Sequence, residues 1–106
     1  MFELFRKRDI NQGVEEWRST EGAILLDVRT KEEYRTYHIE GSINIPLQTI
    51  DEAEVHIGDK NKRIYVYCQS GVRSASASRF LKKAGFSDVI DFGGISAYRG
   101  SAAKAQ

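Results

Sequence analysis

The chain has 106 residues, a net charge of +1, and is 41% hydrophobic and 29% charged. This length suits a single domain over residues 1–106, with its core at about 10–99, and leaves little room for a second domain. The balanced charge provides no basic face for nucleic acid, and no apolar stretch reaches the roughly 20 residues of a membrane span. A lone cysteine, Cys68, excludes an intrachain disulfide and a cysteine-rich metal site.

The N-terminal sequence predicts a cytoplasmic protein. Met1–Phe5 contains an acidic residue and precedes the basic run Arg6–Arg8, which is the reverse of the order in a secretory signal. The run Arg6–Arg8 is short, so we expect it to be solvated rather than to bind a partner. The single thiol also suits a reducing compartment.

The first third of the chain alternates helical and strand patterns. Ile10–Ser19 is predicted to be a helix. Ala23–Val28 is a nearly continuous apolar run, which is typical of a strand covered on both faces. Thr30 has the capping-box spacing to Glu33, and the short helix that it begins is expected to end near Tyr37.

The middle of the chain contains the strongest strand. Ser42–Ile45 is predicted to be a short strand, Leu47–Val55 a helical segment and Gly58–Lys62 a polar loop. Arg63–Tyr67 is rich in β-branched and aromatic residues, so it is predicted to be a strand, and Cys68 stands at its C-terminal end.

The last third begins with the best helical pattern. Apolar residues there follow the i, i+3, i+4, i+7 rule: Ala77, Phe80, Leu81 and Ala84. Gly85 is the expected stop of this helix. Asp88–Phe92 is predicted to be a strand, Gly93–Gly94 a turn and Ile95–Arg99 a short closing helix.

Strands that alternate with helices predict an α/β fold, with a mainly parallel sheet flanked by helices on both faces. In such sheets, ligands bind beyond the carboxyl ends of the strands. Cys68 lies at that edge.

The segment around Cys68 joins the strongest strand to the strongest helix. It contains Cys68, Gln69, Ser70, Gly71, Val72 and Arg73. The helix N-terminus favours negative charge, and Gly71 allows successive N–H groups to point inward as an anion-binding nest. Arg73 adds a positive charge that either holds an anion or braces the loop.

A thiol in that position should ionise easily and act as a nucleophile. The alternative is that Cys68 is a small buried hydrophobic residue, as many free cysteines are. The strand, glycine, arginine and helix occur together, so we favour the reactive cysteine.

The length of the loop separates two chemistries. Four residues lie between Cys68 and Arg73. Phosphatases with a cysteine nucleophile use a longer loop that is wide enough for a phosphate. The tighter loop better matches a single sulfur atom carried on the cysteine as a persulfide, whose charge the nest would stabilise.

Several motifs in order resemble the rhodanese family of sulfurtransferases. They are Leu26–Arg29, Glu32–Tyr34, His38–Pro46, Tyr67–Ala75, Gly85–Val89 and Gly93–Gly94. The resemblance implies a double displacement in which catalytic Cys68 takes a sulfur from a small donor such as thiosulfate and passes it to cyanide or to the thiol of a small molecule or a protein. The sulfur would be held by backbone N–H groups of the loop: Gln69, Ser70, Gly71, Val72, Arg73 and Ser74. It also implies a monomer that needs no metal and no organic cofactor.

Two positions depart from the family pattern. Neutral Gln69 follows the cysteine where the family often has a basic residue, and Tyr98 stands where it usually has tryptophan. Alternative functions are a noncatalytic rhodanese-like module that binds a partner, and a small cysteine-based phosphatase or arsenate reductase. The retained cysteine argues against the first, and the short loop argues against the others.

Other polar and aromatic residues are expected to be structural. Asp27 and Arg29 are predicted to form an ion pair or a loop hydrogen bond. His38 is expected to make a structural hydrogen bond, and Tyr65 and Tyr67 are expected to pack within their strand.

Overall fold

The computed structural model describes residues 9–100. The helices are α1 (Ile10–Ser19), α2 (Lys31–Thr36), α3 (Ala53–His56) and α4 (Val72–Lys83), with 3₁₀ turns at Leu47–Glu52 and Ile95–Ala97. The strands are β1 (Ile24–Asp27), β2 (Ile43–Asn44), β3 (Arg63–Cys68) and β4 (Asp88–Gly94). The N-terminal segment with the basic run Arg6–Arg8 lies outside the described residues.

All four strands pair in parallel, in the order β2-β1-β3-β4. The predicted α/β fold with a parallel sheet is therefore confirmed. The strands place β3 in the interior of the sheet, so Cys68 at its end stands near the middle of the carboxyl edge. No helix within residues 9–100 is long and apolar enough to cross a membrane.

Two apolar clusters lie on the two faces of the sheet, because successive strand residues point to opposite sides. One face of the sheet packs against the helices α3 and α4. The buried residues of the cluster between them include Leu26, Ile64, Val66 and Cys68 of the strands and Ala77 and Leu81 of α4. The other face packs against α1. Its buried residues include Ile10, Val14, Leu25, Tyr65, Tyr67 and Phe92.

The predicted helical segment Leu47–Val55 is divided in the structure. It forms a 3₁₀ turn at Leu47–Glu52 and then the short helix α3. Thr49 has φ of −124° and ψ of 32°, which is not helical, so no continuous helix can run through it. Phe80, predicted to be a core position of α4, is 39% exposed.

The prediction of a turn at Gly93–Gly94 is wrong. Strand β4 continues to Gly94, which pairs with Cys68 across a bulge in the register. The bulge is accommodated at Gly93, whose φ of 84° suits glycine. The predicted closing helix is a single 3₁₀ turn, Ile95–Ala97. The end of β4 therefore lies directly behind the loop that follows β3.

Candidate active site

Cys68 is the last residue of β3 and is 1% exposed. Its Sγ accepts a hydrogen bond from the Gly71 N–H at 2.9 Å. Gly71 has φ of 109° and immediately precedes α4, so the backbone curls back over the sulfur at the N-terminus of that helix. An N–H group aimed at the sulfur stabilises negative charge on it. The structure therefore brings together the strand end, the curled loop and the helix N-terminus that the sequence predicted.

The end of β4 braces the back of this loop. The Ser96 N–H donates to the Gln69 carbonyl at 3.2 Å. Ser74 Oγ donates to the Gly71 carbonyl at 3.1 Å and lies 3.4 Å from the Gly93 carbonyl. A Cβ on Gly94 would lie 2.3 Å from the Gln69 carbonyl oxygen, so only glycine permits this approach.

Gly94→Ala is expected to displace the loop and to lower the rate of a reaction at Cys68 by about a hundredfold, since a shift near 1 Å can have that effect. The obstructing atoms are backbone, so no side-chain rotation relieves the contact. The control is Gly58→Ala, which adds backbone strain at φ of 76° but meets nothing within 4 Å. Initial rates per folded protein and urea denaturation would be measured on both variants. Equal rates in the two variants would contradict the role given to Gly94.

Arg73 is held by a carboxylate. Its Nη1 and Nη2 donate to the two carboxylate oxygens of Glu33 at 2.7 and 3.0 Å. Glu33 also accepts from the Thr30 N–H at 2.9 Å and completes the predicted capping box of α2, which is confirmed. Of the two roles left open for Arg73, the contacts show the bracing one, since they tie the start of α4 to α2. The sequence identified Glu33 as a cap and as part of the motif Glu32–Tyr34, but it gave no signal of the contact with Arg73.

The Glu33–Arg73 pair predicts a stability that depends on pH. Arg73 hydrogen bonds lower the pKa of Glu33 from its ordinary value of 4.5 to about 2, against the opposing effect of burial and with further help from Thr30. Because the folded pKa is depressed, ionised Glu33 stabilises the fold fully above pH 4.5, and this contribution is lost as the pH falls from 4.5 towards 2.

Urea midpoints of wild type and Glu33→Gln, measured between pH 2 and 7, are therefore expected to differ most at neutral pH and to converge in acid. Glu32→Gln is the matched control, because Glu32 lies in the same turn of α2 and its side chain makes no ion pair with any residue from 9 to 100. A difference in urea midpoint between wild type and Glu33→Gln that stays constant down to pH 2 would refute the prediction.

A second arginine near the loop is also paired. Arg29 is 0% exposed and donates from Nε and Nη2 to Asp27, with the closest contact at 2.8 Å, which confirms the expected ion pair. Its Nη2 also donates to the Tyr37 carbonyl at 2.6 Å, and its Nη1 donates to Gln69 Oε1 at 3.2 Å. Gln69 Nε2 in turn donates to the Tyr37 hydroxyl at 3.2 Å. Gln69 is thus held to the side of the loop by neighbours that its sequence position did not indicate.

Two of the remaining loop side chains are exposed to solvent. Val72 is 74% exposed, and Ser70 is also exposed. Their predicted contribution is through backbone N–H groups, and Gly71 is the residue whose N–H contacts Sγ.

His38 and Tyr67 have structural contacts. His38 Nδ1 lies 2.8 Å from the Tyr34 carbonyl, and its ring stacks on Tyr34 at 3.8 Å between centroids. The buried Tyr67 hydroxyl accepts from the Ile39 N–H at 3.2 Å. Burial, followed by the Asp27 charge, raises the pKa of Tyr67 above its ordinary value of 10.0, so the hydroxyl stays protonated. Within residues 9–100, no group of three or more His, Cys, Asp or Glu side chains is arranged to bind a metal ion.

Comparison with known proteins identifies the family. The Rhodanese-like domain matches residues 9–101. The chain belongs to the rhodanese-like family. Its relatives include sulfurtransferases, and the family predicted from the motifs is confirmed.

The rhodanese-like relatives differ in how much of their own length this chain spans. The chain is 38% identical to thiosulfate sulfurtransferase PspE of Escherichia coli over 66% of its length and 68% of that protein. It is 42% identical to the putative sulfur carrier protein YrkF of Bacillus subtilis over 69% of its length, but this spans 39% of YrkF. It is 34% identical to a tRNA uridine(34) hydroxylase of Buchnera aphidicola over 86% of its length and 30% of the hydroxylase.

Solved rhodanese structures have the same fold. A rhodanese with anions from E. coli is 34% identical, with a TM-score of 0.71 over 77% of this chain and 98% of that one. A rhodanese-like domain protein from Staphylococcus aureus is 25% identical, with a TM-score of 0.79 over 95% and 99% of the two chains.

Proposed function

We propose that this protein is a sulfurtransferase that carries a sulfur atom on Cys68 as a persulfide. The observation that supports this most directly is the 2.9 Å contact from the Gly71 N–H to Sγ, at the N-terminus of α4. The backbone N–H groups from Gln69 to Ser74 would hold the negative charge of the outer sulfur. A resolving cysteine is absent from the chain, so the sulfur leaves to an acceptor rather than to a second thiol of the same protein.

The reaction consists of two displacements at sulfur. The Cys68 thiolate attacks the outer sulfur of thiosulfate, the S–S bond of the donor breaks, and sulfite leaves with the electron pair. Cyanide or a thiolate then attacks the outer sulfur of the Cys68 persulfide. The new S–S bond breaks, the sulfur leaves as thiocyanate or as a persulfide of the acceptor, and Cys68 returns to the thiolate. No oxidant or reductant is consumed.

The natural donor and acceptor would be small sulfur compounds or thiols of larger proteins. PspE is named a thiosulfate sulfurtransferase and YrkF a putative sulfur carrier protein, so both kinds of partner occur among the relatives. A free thiolate that cycles with a persulfide fits the reducing cytoplasm.

Mass spectrometry of the whole protein after thiosulfate treatment tests the proposal. We expect an adduct of about 32 Da, the mass of one sulfur atom, on the peptide that contains Cys68. Cyanide should remove the adduct and release thiocyanate in equal amount. If neither thiosulfate nor an alkyl persulfide gives the adduct, the protein is instead a partner-binding module. Turnover of a phosphate ester that depends on Cys68 would favour the phosphatase.

The charge around the loop predicts weak use of thiosulfate, which carries two negative charges. Arg29 and Arg73 are each paired with a carboxylate, and Gln69 is neutral. Gln69→Lys is expected to raise kcat/KM for thiosulfate by about tenfold, because it adds an unpaired cation at the mouth of the site. An alkyl persulfide, which has one charge, should gain less.

Gln12→Lys on α1 is the matched control for this change. Gln12 is exposed, and its replacement by lysine makes the same change in net charge at a position outside the loop of residues 69–74. A comparable gain for Gln12→Lys would mean that the net charge of the protein, rather than the position of Gln69, governs the use of thiosulfate.

A further inference from the structure

One face of α4 leads from the mouth of the site along the surface, and we call it the α4 strip. It is formed by Val72, Ser76, Arg79, Phe80 and Lys83, which repeat at three- and four-residue spacing and so share one side of the helix. The opposite side of α4 is buried against the sheet. Its buried residues are Ser74, Ala77, Ser78 and Leu81. The α4 strip is therefore the outward face of the helix that starts at the active-site loop.

The α4 strip combines apolar and positive side chains. Val72 and Phe80 are 74% and 39% exposed, and they are two of the four large hydrophobic residues exposed within residues 9–100. Arg79 and Lys83 are also exposed. Along the helix, Arg79 lies between the two apolar residues and Lys83 lies beyond them, so a molecule bound to this face would meet apolar and positive groups together.

The positive charge at the exposed end of α4 is not paired with a carboxylate among residues 9–100. Helix α4 contains four basic residues and no acidic residue. Arg73 is paired with Glu33, whereas Arg79, Lys82 and Lys83 make no ion pair within the described part of the chain. The two lysines in the last turn of α4 interact favourably with the helix dipole. Arg79 lies before the last turn, so the dipole does not explain its position.

Two acidic side chains of the adjacent segment contact residues other than those of α4. Glu52 lies 3.7 Å from His56 and Glu54 lies 3.6 Å from Lys60. The whole protein has a net charge of only +1, which makes the charge on α4 a local feature. A complementary partner would be acidic.

The position of the α4 strip suggests what the partner delivers. Val72 follows Gly71, whose N–H contacts the Cys68 sulfur, so the strip begins one residue after the loop that holds the nucleophile. From Val72 to Lys83 the helix rises roughly 16 Å. An extended peptide of about five residues spans that distance.

We infer that the α4 strip binds an extended acidic segment of a protein and presents its terminal thiol to Cys68 as the sulfur acceptor. This inference rests on the proposed function. Acidic residues of the segment lie against Arg79 and Lys83, and one apolar residue lies against each of Val72 and Phe80. The acceptor thiolate attacks the outer sulfur of the Cys68 persulfide. The S–S bond breaks, its electron pair leaves on Cys68 as thiolate, and the acceptor becomes a persulfide.

Two synthetic hexapeptides test this with the full-length protein. Each contains one terminal cysteine, two leucines and either three glutamates or three glutamines. The rate of sulfur transfer from the Cys68 persulfide to each peptide is measured at low and high salt, with cyanide as a second acceptor. Fluorescence anisotropy of the labelled glutamate peptide measures binding separately from transfer.

We expect the glutamate peptide to react faster than the glutamine peptide, with the advantage lost at high salt. The double variant Arg79→Glu with Lys83→Glu should slow transfer to the glutamate peptide by about tenfold, as charge reversal at the rim of an interface slows association. Transfer to cyanide should be unchanged. Arg18→Glu with Lys31→Glu, which makes the same net change on α1 and α2, should have little effect.

Equal rates with the two peptides, or equal losses in the two double variants, would overturn the docking surface. If cyanide also receives no sulfur, the proposed function fails instead. The anisotropy measurement then still decides whether the α4 strip binds an acidic peptide, because it needs no chemistry at Cys68.

Discussion

Cys68→Ser is expected to abolish sulfur transfer, with a loss of at least about 10³-fold, which is on the scale of removing the nucleophile from other enzymes. A serine oxygen cannot carry the persulfide, and its hydroxyl does not ionise near neutral pH. The substitution should leave the fold intact, because serine is close to cysteine in shape and its oxygen can accept the bond that the Gly71 N–H now gives to Sγ.

Thiocyanate formation from thiosulfate and cyanide would measure this loss, while urea denaturation would show that the variant is folded. Cys68→Ala is the companion variant, since it removes the hydroxyl as well as the sulfur and should lose the same activity. Residual transfer in both variants above the protein-free rate would mean that Cys68 is not the sulfur carrier.

Asp27→Asn should lower the free energy of unfolding by about 3–5 kcal/mol, the usual effect of removing one partner of a buried ion pair. Both side chains of the Asp27–Arg29 pair are 0% exposed, so the guanidinium of Arg29 would keep its charge without a carboxylate to compensate it. Asparagine has nearly the shape of aspartate, which separates the loss of charge from a loss of packing. Urea unfolding followed by fluorescence would measure the change.

Two variants make this result interpretable. Glu54→Gln removes a surface carboxylate that lies 3.6 Å from Lys60, and it should cost no more than about 1 kcal/mol. Asp27→Asn combined with Arg29→Met removes both charges and should recover part of the loss, even if the single variant is unfolded. The role assigned to the buried pair is wrong if Asp27→Asn and Glu54→Gln lower the free energy of unfolding by the same amount.

Local patterns predicted most of the elements. Helix α1 has the predicted bounds Ile10–Ser19, and the capping box of Thr30 and Glu33 is present. These features depend on residues a few positions apart, whose spacing is visible in the sequence. The motifs also identified the family, because their order along the chain is itself a sequence property.

Contacts between residues that are far apart in the chain were harder to predict from the sequence. Gly93–Gly94 has the composition of a turn, yet it completes β4 because the neighbouring backbone of β3 pairs with it. Phe80 fits the helical period but is 39% exposed, because the period places a residue on a face without saying how far that face is covered.

The sequence by itself determined the α/β class, the family and the position of Cys68 at the end of a strand and before a helix. Only the tertiary structure decided what surrounds that cysteine. Glu33 and Arg73 are 40 residues apart in the chain. Gly94, which has no side chain to obstruct the loop after Cys68, belongs to β4 rather than to β3. Such pairings arise when parallel strands bring remote segments to one sheet edge, and side-chain spacing along the chain contains no record of them.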